Sequence, residues 1–390
     1  HLFLLPFPAG AMLSILLFDF HTAIVFSFII SLLSGLWLEA PFFSVYFFIG
    51  SLAASFSILN SKKRSSILKG GFITGLINLI VAVSFILVTG IFDKSSLWIM
   101  GFAFMSGPLM SAVVFLLLPL FEYLFNITTD ISLMELLDVD HPLMKALMTN
   151  APGTYHHSVI VANLVEAASE NLRINRLLAR VGAYYHDIGK IKMPHYFVEN
   201  QRGESRHEHI TPHMSSLVLI AHAKDGAELA RQYKLPEAII DIIREHHGDS
   251  LITFFYEKAK ASGEEVNAED YKYPGPKPRS KEAALIMMAD AVEAASRVLT
   301  DPSPARIASL VEKIINRIMT EGQLDECEFT FKEIRQIKES FVHTLTGIFH
   351  KRINYPGFRF DESAPDKDNS EKKTELSFPE KRPAQTLKTS

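Results

Sequence analysis

The strongest constraint on this chain is an opening stretch of about 125 residues that is almost wholly apolar and aromatic. Folding in water would leave much of such a stretch exposed, so membrane helices are the expected outcome. Five hydrophobic spans can be drawn, at 2–18, 21–38, 41–59, 70–91 and 97–124. Most approach the ~20 residues that a helix needs to cross ~30 Å of hydrocarbon. The first two are short and meet tightly at Asp19 to His21, so a re-entrant hairpin is the alternative there. His1 runs straight into apolar sequence without a Met or a basic segment, unlike a signal peptide. The chain therefore reads as N-terminally truncated, with an upstream portion removed.

Loop charge sets the expected orientation. SKKRSSILK, between spans three and four, carries Lys62, Lys63, Arg64 and Lys69, which the positive-inside rule places in the cytoplasm. Span five returns to that side, so the second half of the chain should start there, with His1 on the outer face. A multi-pass protein of the cell inner (plasma) membrane is expected, with the lipid bilayer as one partner. Asp19, His21 and Glu39 fall at span ends, and Glu122 reads as interfacial. The scarcity of intramembrane charge argues against a pump or transporter.

Composition changes after residue 125. The expected organisation is membrane spans over 1–125, a connecting helical segment over 126–150, a soluble domain over 151–358 and a disordered tail over 359–390. The tail is rich in Lys, Glu, Ser and Pro and nearly lacks large apolar residues. HHSVIVANLVEAASENL, LLARVGAYYHDIGKI, PEAIIDIIREHH and KEAALIMMADAVEAASRVL all carry apolar residues at helical spacing, and no alternating strand pattern appears. The fold class is therefore all-α: polytopic transmembrane helices followed by a cytoplasmic all-helical domain. Gly263 to Lys281, with Pro274, Gly275, Pro276 and Pro278, reads as a long loop. The single cysteine, Cys327, excludes a disulfide framework and a cysteine-based zinc site. A net charge of -4 carries no whole-chain signal for nucleic acid, so no nucleic-acid partner is expected.

The histidines carry the chemistry. His157, His186, His222, His246 and His247 recur beside apolar helix positions, together with Asp187 and Asp290. An ionisable group in such a setting is costly unless it is paired or metal-bound. Each has a bland alternative: a hydrogen-bonded core histidine for His222, a helix-end cap for His246-His247. Asp290, flanked by Met288, Ala289 and Ala291, is harder to dismiss. Imidazole and carboxylate without thiolate suit Fe, Mn or Zn. Seven candidate ligands exceed the needs of one ion and suit two that share a bridging carboxylate. Neighbouring side chains on a helix diverge by ~100°, so His186 can face one ion while Asp187 spans both.

Longer strings narrow the reading: APGTYHHSVIVANLVEAA, LLARVGAYYHDIGKIKMP, IAHAKDGAELAR, IREHHG, YPGPKP and MMADAVEAASR. With the preceding spans, they resemble the seven-transmembrane HD-domain cyclic di-AMP phosphodiesterases, within the HD-domain metal phosphohydrolase superfamily. In that family an extracytoplasmic domain and one further span precede the spans seen here. The resemblance implies hydrolysis of cyclic di-AMP to linear pApA by metal-activated hydroxide, using two divalent ions, Fe or Mn. It implies one ion on His157, His186, Asp187 and Asp290, and a second on His222, His246 and His247, with Asp187 as the bridge. His156 is not expected to be a ligand. Lys190 would neutralise the phosphate or assist the leaving oxygen, with a solvated helix-end lysine as its alternative. Arg297 is a candidate phosphate contact or a plain salt bridge.

Where the family carries an Asn-Pro-His-Asp-Lys-like segment, this chain has ESRHEHITPH, whose His207, His209 and His213 read as loop histidines. The rival readings are an HD hydrolase of cyclic di-GMP or guanosine tetraphosphate and a catalytically inactive nucleotide-sensing receptor. The first rival's Gly-Tyr-Pro signature is replaced here by Gly248-Asp249-Ser250. The oligomeric state, a homo-oligomer included, stays open. SLMELLDVDHPL, which joins the last span to the first ligand helix, is the expected coupling route.

Overall fold

A computed structural model describes residues 1–90, 92–201, 203–262 and 266–349. The disordered tail expected over 359–390, and the last residues of the soluble domain, lie outside the described residues.

Membrane-type helices come first. They are α1 (Phe7–Leu17), α2 (Phe20–Trp37), α3 (Pro41–Ile58), α4 (Ser65–Thr89) and α5 (Lys94–Phe125). Four of them, α2 to α5, are long and apolar enough to cross a bilayer. The first expected span differs: it is a 3₁₀ turn, Leu2–Leu4, followed by the 11-residue α1. Eleven helical residues rise only ~16 Å. Pro6 and Pro8 break the segment into these two pieces, because proline removes a backbone donor and fixes φ. The pieces still run through the bundle. Phe3 packs beside Tyr46 and Phe85, while Met12 joins Ile58, Ile67 and Leu118.

The helix starts are legible chemistry. Asp19 caps α2 by accepting from the Thr22 N–H at 2.9 Å, and Asp93 with Ser96 forms a capping box on α5. Close packing of α4 on α5 depends on glycine. A Cβ on Gly107 would lie 2.1 Å from the Gly71 carbonyl oxygen and 2.3 Å from the Gly75 nitrogen. Small residues bring helix backbones together where there is no hydrophobic effect to drive association. Asn78 is buried in this bundle and donates to Ser106 at 2.9 Å.

The soluble half contains α6 (Asp130–Leu136), α7 (Pro142–Asn150), α8 (Pro152–Ser169), α9 (Arg176–Tyr185), α10 (Pro212–Gln232), α11 (Glu237–Glu245), α12 (Thr253–Ala261), α13 (Lys281–Ser296), α14 (Pro304–Thr320) and α15 (Phe331–Ile348). Among the described residues there is no strand, only an isolated bridge between Leu251 and Lys272. Helix-breaking residues sit at helix starts: Pro152 and Pro304 open helices, and Asn175 caps α9 by accepting from Leu178 N–H. One core joins α8, α13, α14 and α15 through Val161, Leu164, Leu285, Val292, Ile315 and Phe341. Each such side chain contributes ~1.5–3 kcal/mol by leaving water.

The connector α6 belongs to both halves. Ile131 packs in the membrane-side cluster, whereas Leu133 and Leu136 pack with Tyr185 and Ile188. Arg64, from the basic loop, donates to Glu135 of α6 at 2.6 Å and lies 3.4 Å from Glu122 at the end of α5. The Tyr185 hydroxyl donates to the Leu136 carbonyl at 2.7 Å. Glu122, expected to be interfacial, is thus a partner of Arg64.

Candidate metal centre

Five elements converge on one buried point. His157 lies on the inward face of α8, in line with Val161, Leu164 and Ala168. His186 and Asp187 follow α9, His222 comes from α10, His246 and His247 follow α11, and Asp290 comes from α13. His156, one position from His157, is exposed.

The dyad differs from the helix-interior setting expected of it. The α-helix ends at Tyr185, and a 3₁₀ turn, Ile188–Lys192, takes over. His186 and Asp187 occupy the break, with φ near -54° and -108°. Helix continuation is prevented by the approach of α10. A Cβ on Gly189 would lie 1.9 Å from the His222 carbonyl oxygen and 2.6 Å from the Gly226 nitrogen. That contact carries His222 to the dyad.

Asp187 stands between two groups. Its Oδ1 lies 3.2 Å from His222 Nε2 and 3.7 Å from His246 Nε2. Its Oδ2 lies 3.2 Å from His186 Nε2 and 3.6 Å from His157 Nε2. Asp290 also reaches both sides: Oδ1 is 3.0 Å from His157 Nε2, and Oδ2 is 3.8 Å from His247 Nδ1. Two potential metal-holding groups result, His157–His186–Asp187 and Asp187–His222–His246–His247, sharing Asp187.

Proton assignments follow from the second nitrogen of each ring. Nδ1 of His186, His222 and His246 faces the carbonyl oxygens of Ala183, Leu219 and Ile243, which can only accept. Nδ1 therefore carries the proton, and each Nε2 presents a lone pair. The Nε2 atoms of His222 and His246 then face each other at 3.3 Å with no proton between them. Buried Nε2 of His157 and His186 and both Asp187 oxygens lack a hydrogen bond of sound geometry. Imidazole and carboxylate atoms crowded together in this way, with Lys190 the one ammonium beside Asp187 among the described residues, suit a bound cation. The residues present therefore fit divalent ions.

The electrostatics agree. Burial pushes His246 down to about 4 and His247 well below the imidazole range, so both stay neutral. Burial opposes ionisation of Asp187, but the Lys190 ammonium holds its carboxyl well below the usual range. Burial also opposes charge on His157, yet Asp290 and Glu293 push it up to about 10.

Lys190 is largely enclosed, its side chain 12% exposed, which argues against the solvated alternative. Its Nζ lies 2.7 Å from Asp187 Oδ2, 2.9 Å from Glu199 Oε1 and 4.9 Å from the Phe197 ring centre. Arg297 takes the salt-bridge alternative. Its Nε and Nη2 both meet Glu293 Oε1, at 2.7 and 2.6 Å. Neither His207 nor His213 joins the cluster. His207 bonds the Tyr196 carbonyl at 2.7 Å, and His213 lies in the first turn of α10, not in a loop. The described part of the segment expected to be a long loop is pinned at the site. Tyr273 stacks on His247 at 4.3 Å and 26°, and Arg279 donates to Glu245 at 2.7 Å.

Residues not anticipated from sequence include Glu293, Glu199, Phe197 and Tyr273. Of these, Glu293 had a readable signal, since it shares a helical stripe with Asp290 and Arg297. A cleft of about 570 Å³ opens beside the cluster, lined by Lys190, Phe197, Phe254, His222, His247 and Tyr273 among others.

Comparison with known proteins supplies the family. Residues 1–129 match the family model described as a 7TM receptor with intracellular HD hydrolase, and residues 154–295 match the HD domain. The chain is 42% identical over 366 residues to the cyclic-di-AMP phosphodiesterase PgpH of Bacillus subtilis, covering 91% of this chain and 51% of that protein. It is 41% identical to the Listeria monocytogenes protein of the same name, covering 80% and 44%. The chain thus spans about half the length of the curated relatives it matches. A crystal structure of the L. monocytogenes PgpH HD domain in complex with cyclic-di-AMP superposes with TM-score 0.53 at 47% identity, over 55% of this chain and 100% of that one. The chain belongs to the seven-transmembrane HD-domain family.

Proposed function

We propose that the chain is a membrane-anchored, two-metal phosphodiesterase that hydrolyses cyclic di-AMP to linear pApA. The observation carrying this reading is the pair of ligand groups that share Asp187. His157, His186, Asp187 and Asp290 would hold one ion. His222, His246 and His247, with Asp187 between, would hold the other, iron or manganese suiting this donor set. Bound there, two divalent ions supply Lewis acidity toward a phosphodiester and acidify water.

The remaining work falls to the protein. Asp187 orients the centre through both carboxylate oxygens. Lys190 brings a cation to the cleft wall beside it, placed to neutralise phosphate charge or the leaving oxygen. Phe197, Phe254 and Tyr273 give the cleft aromatic surface suited to stacking on bases. The choice of cyclic di-AMP over cyclic di-GMP or guanosine tetraphosphate follows the names of the relatives.

The Arg64 contacts support an orientation. The basic loop that should face the cytoplasm is tied to Glu135 and Glu122 on the side where the HD domain begins. The domain is therefore assigned to the cytoplasmic face of the plasma membrane. The test is a nucleotide panel offered to the purified chain in detergent with Mn²⁺ or Fe²⁺. Conversion of cyclic di-AMP to pApA, in preference to the other nucleotides, is the expected result. An intact cyclic di-AMP alongside cleavage of another nucleotide would overturn the substrate assignment. Tight binding without cleavage of any nucleotide would favour the sensing receptor.

A further inference from the structure

The ligand histidines are held from behind in different ways. His186, His222 and His246 are each oriented by a backbone carbonyl three residues earlier on their own segment. His247 is held by stacking on Tyr273. His157 differs from all of these, because its Nδ1 meets a carboxylate, Glu293 Oε2, at 2.6 Å. Glu293 is only 1% exposed and lies on α13, three residues beyond Asp290. Its other oxygen carries the two nitrogens of Arg297, one further turn along. One helix thus places Asp290 at the metal-facing nitrogen of His157 and Glu293 at the far nitrogen.

A buried carboxylate is costly without strong partners. Backbone carbonyls suffice to orient the other three rings, so orientation alone does not account for Glu293. A carboxylate behind a ligating imidazole does more than orient it. It fixes the tautomer and increases the electron donation of the metal-facing nitrogen, and loss of such a partner typically weakens metal binding by ~10–100-fold. The carboxylates are also unequally placed: Asp187 is shared, Asp290 lies 3.0 Å from His157 Nε2 but 3.8 Å from His247 Nδ1, and among the ligand histidines Glu293 backs His157 alone.

We propose that Glu293, clamped by Arg297, is a positioning residue for His157 that makes the two metal positions unequal, the His157 side binding the tighter ion. Arg297 acts through Glu293 and does not touch substrate. The exchangeable ion then sits on the His222–His246–His247 side, next to the aromatic strap at Tyr273. This inference rests on the two-metal reading given above.

The experiment is stepwise chelation of the full chain in detergent, loaded with Mn²⁺. Bound metal is counted by elemental analysis, and the electron paramagnetic resonance signal separates coupled pairs from isolated ions. Wild type should lose one ion first and pass through a state with a single isolated Mn²⁺. In Glu293→Gln the retained ion should weaken by ~10–100-fold, so that both ions leave together. Arg297→Gln lies further from the centre and should shift release in the same direction by less, with KM little changed. Thermal unfolding checks that each variant is folded, and Arg297→Gln keeps the inference testable if Glu293→Gln is not. Two-step release from Glu293→Gln identical to wild type overturns the inference alone. A raised KM with unaltered metal release in Arg297→Gln overturns the role given to Arg297. Wild type that binds a single ion overturns the two-metal reading beneath it.

Discussion

The membrane bundle and the HD domain are both helical, yet they treat buried polar groups in opposite ways. In the bundle, many hydroxyls fold back on their own helix, although Asn78 reaches Ser106 on the next helix and Ser31, Ser51 and Ser55 make no side-chain hydrogen bond among the described residues. Ser27 donates to the Ala23 carbonyl, Ser34 to Ile30 and Thr74 to Gly70, each four residues earlier. These bonds are satisfied locally and point at nothing shared. In the HD domain, buried imidazoles and carboxylates from α8, α9, α10, α11 and α13 aim at one another, and several metal-facing atoms have no partner. Single hydroxyls, many of them bonded within their own helix, suit a span that sits in lipid. Concentrated, unsatisfied polarity is what a site needs in order to bind an ion. The contrast locates function without reference to a pocket.

The comparison can be broken or sharpened by substitution. The largest effect is expected at its centre, where Asp187→Ala should reduce turnover by at least ~10³-fold, since one residue serves both ligand groups. Measurable turnover within tenfold of wild type would break the contrast. In the bundle, size should matter more than polarity. Gly107→Leu should separate α4 from α5 and cut the yield of folded, detergent-extracted protein several-fold, because the backbone of Gly71 occupies the space.

At the junction, Tyr185→Phe removes the hydroxyl that satisfies the buried Leu136 carbonyl and should cost ~1–3 kcal/mol in unfolding measurements. Thr74→Val should cost less, ~0.6 kcal/mol or below, because its bond is internal to one helix. The smallest effect is expected on the surface of the HD domain. Lys281 and the Thr330 cap hold the Glu333 carboxyl down to about 2 from an ordinary 4.5. A depressed carboxyl stabilises the fold fully above the unfolded value and loses that contribution as pH falls from about 4.5 toward 2. Glu333→Gln should therefore flatten stability against pH in that window and leave it unchanged in slope near neutrality.

Much of this was legible from the sequence, for reasons that differ by feature. Helices were readable because amphipathic period and caps are local: Asn175, Pro152 and Pro304 act within a few residues. Asp290 stood out because an acid in LIMMADAVEAA has no nearby cation. Glu293 did not, although it is the more deeply buried of the two, because its partner His157 lies 136 positions away and an acid among alanines reads as a solvated face. The break at His186-Asp187 was missed because it is imposed from outside, by α10 pressing on Gly189. Tyr273 was missed for a related reason. A proline-rich, polar segment carries no period, and its order comes from stacking on His247 and from the Arg279–Glu245 pair. The first span, short already by length, is further divided by Pro6 and Pro8, which hydropathy reads through.

The central claim is that Asp187 bridges two ions, and metal content per chain tests it most directly. Wild type and Asp187→Ala, both folded by thermal unfolding and loaded with Mn²⁺ under the same conditions, would be compared by elemental analysis. The account predicts two ions per chain in the wild type and loss of both together in the variant. Retention of two ions by Asp187→Ala would contradict it.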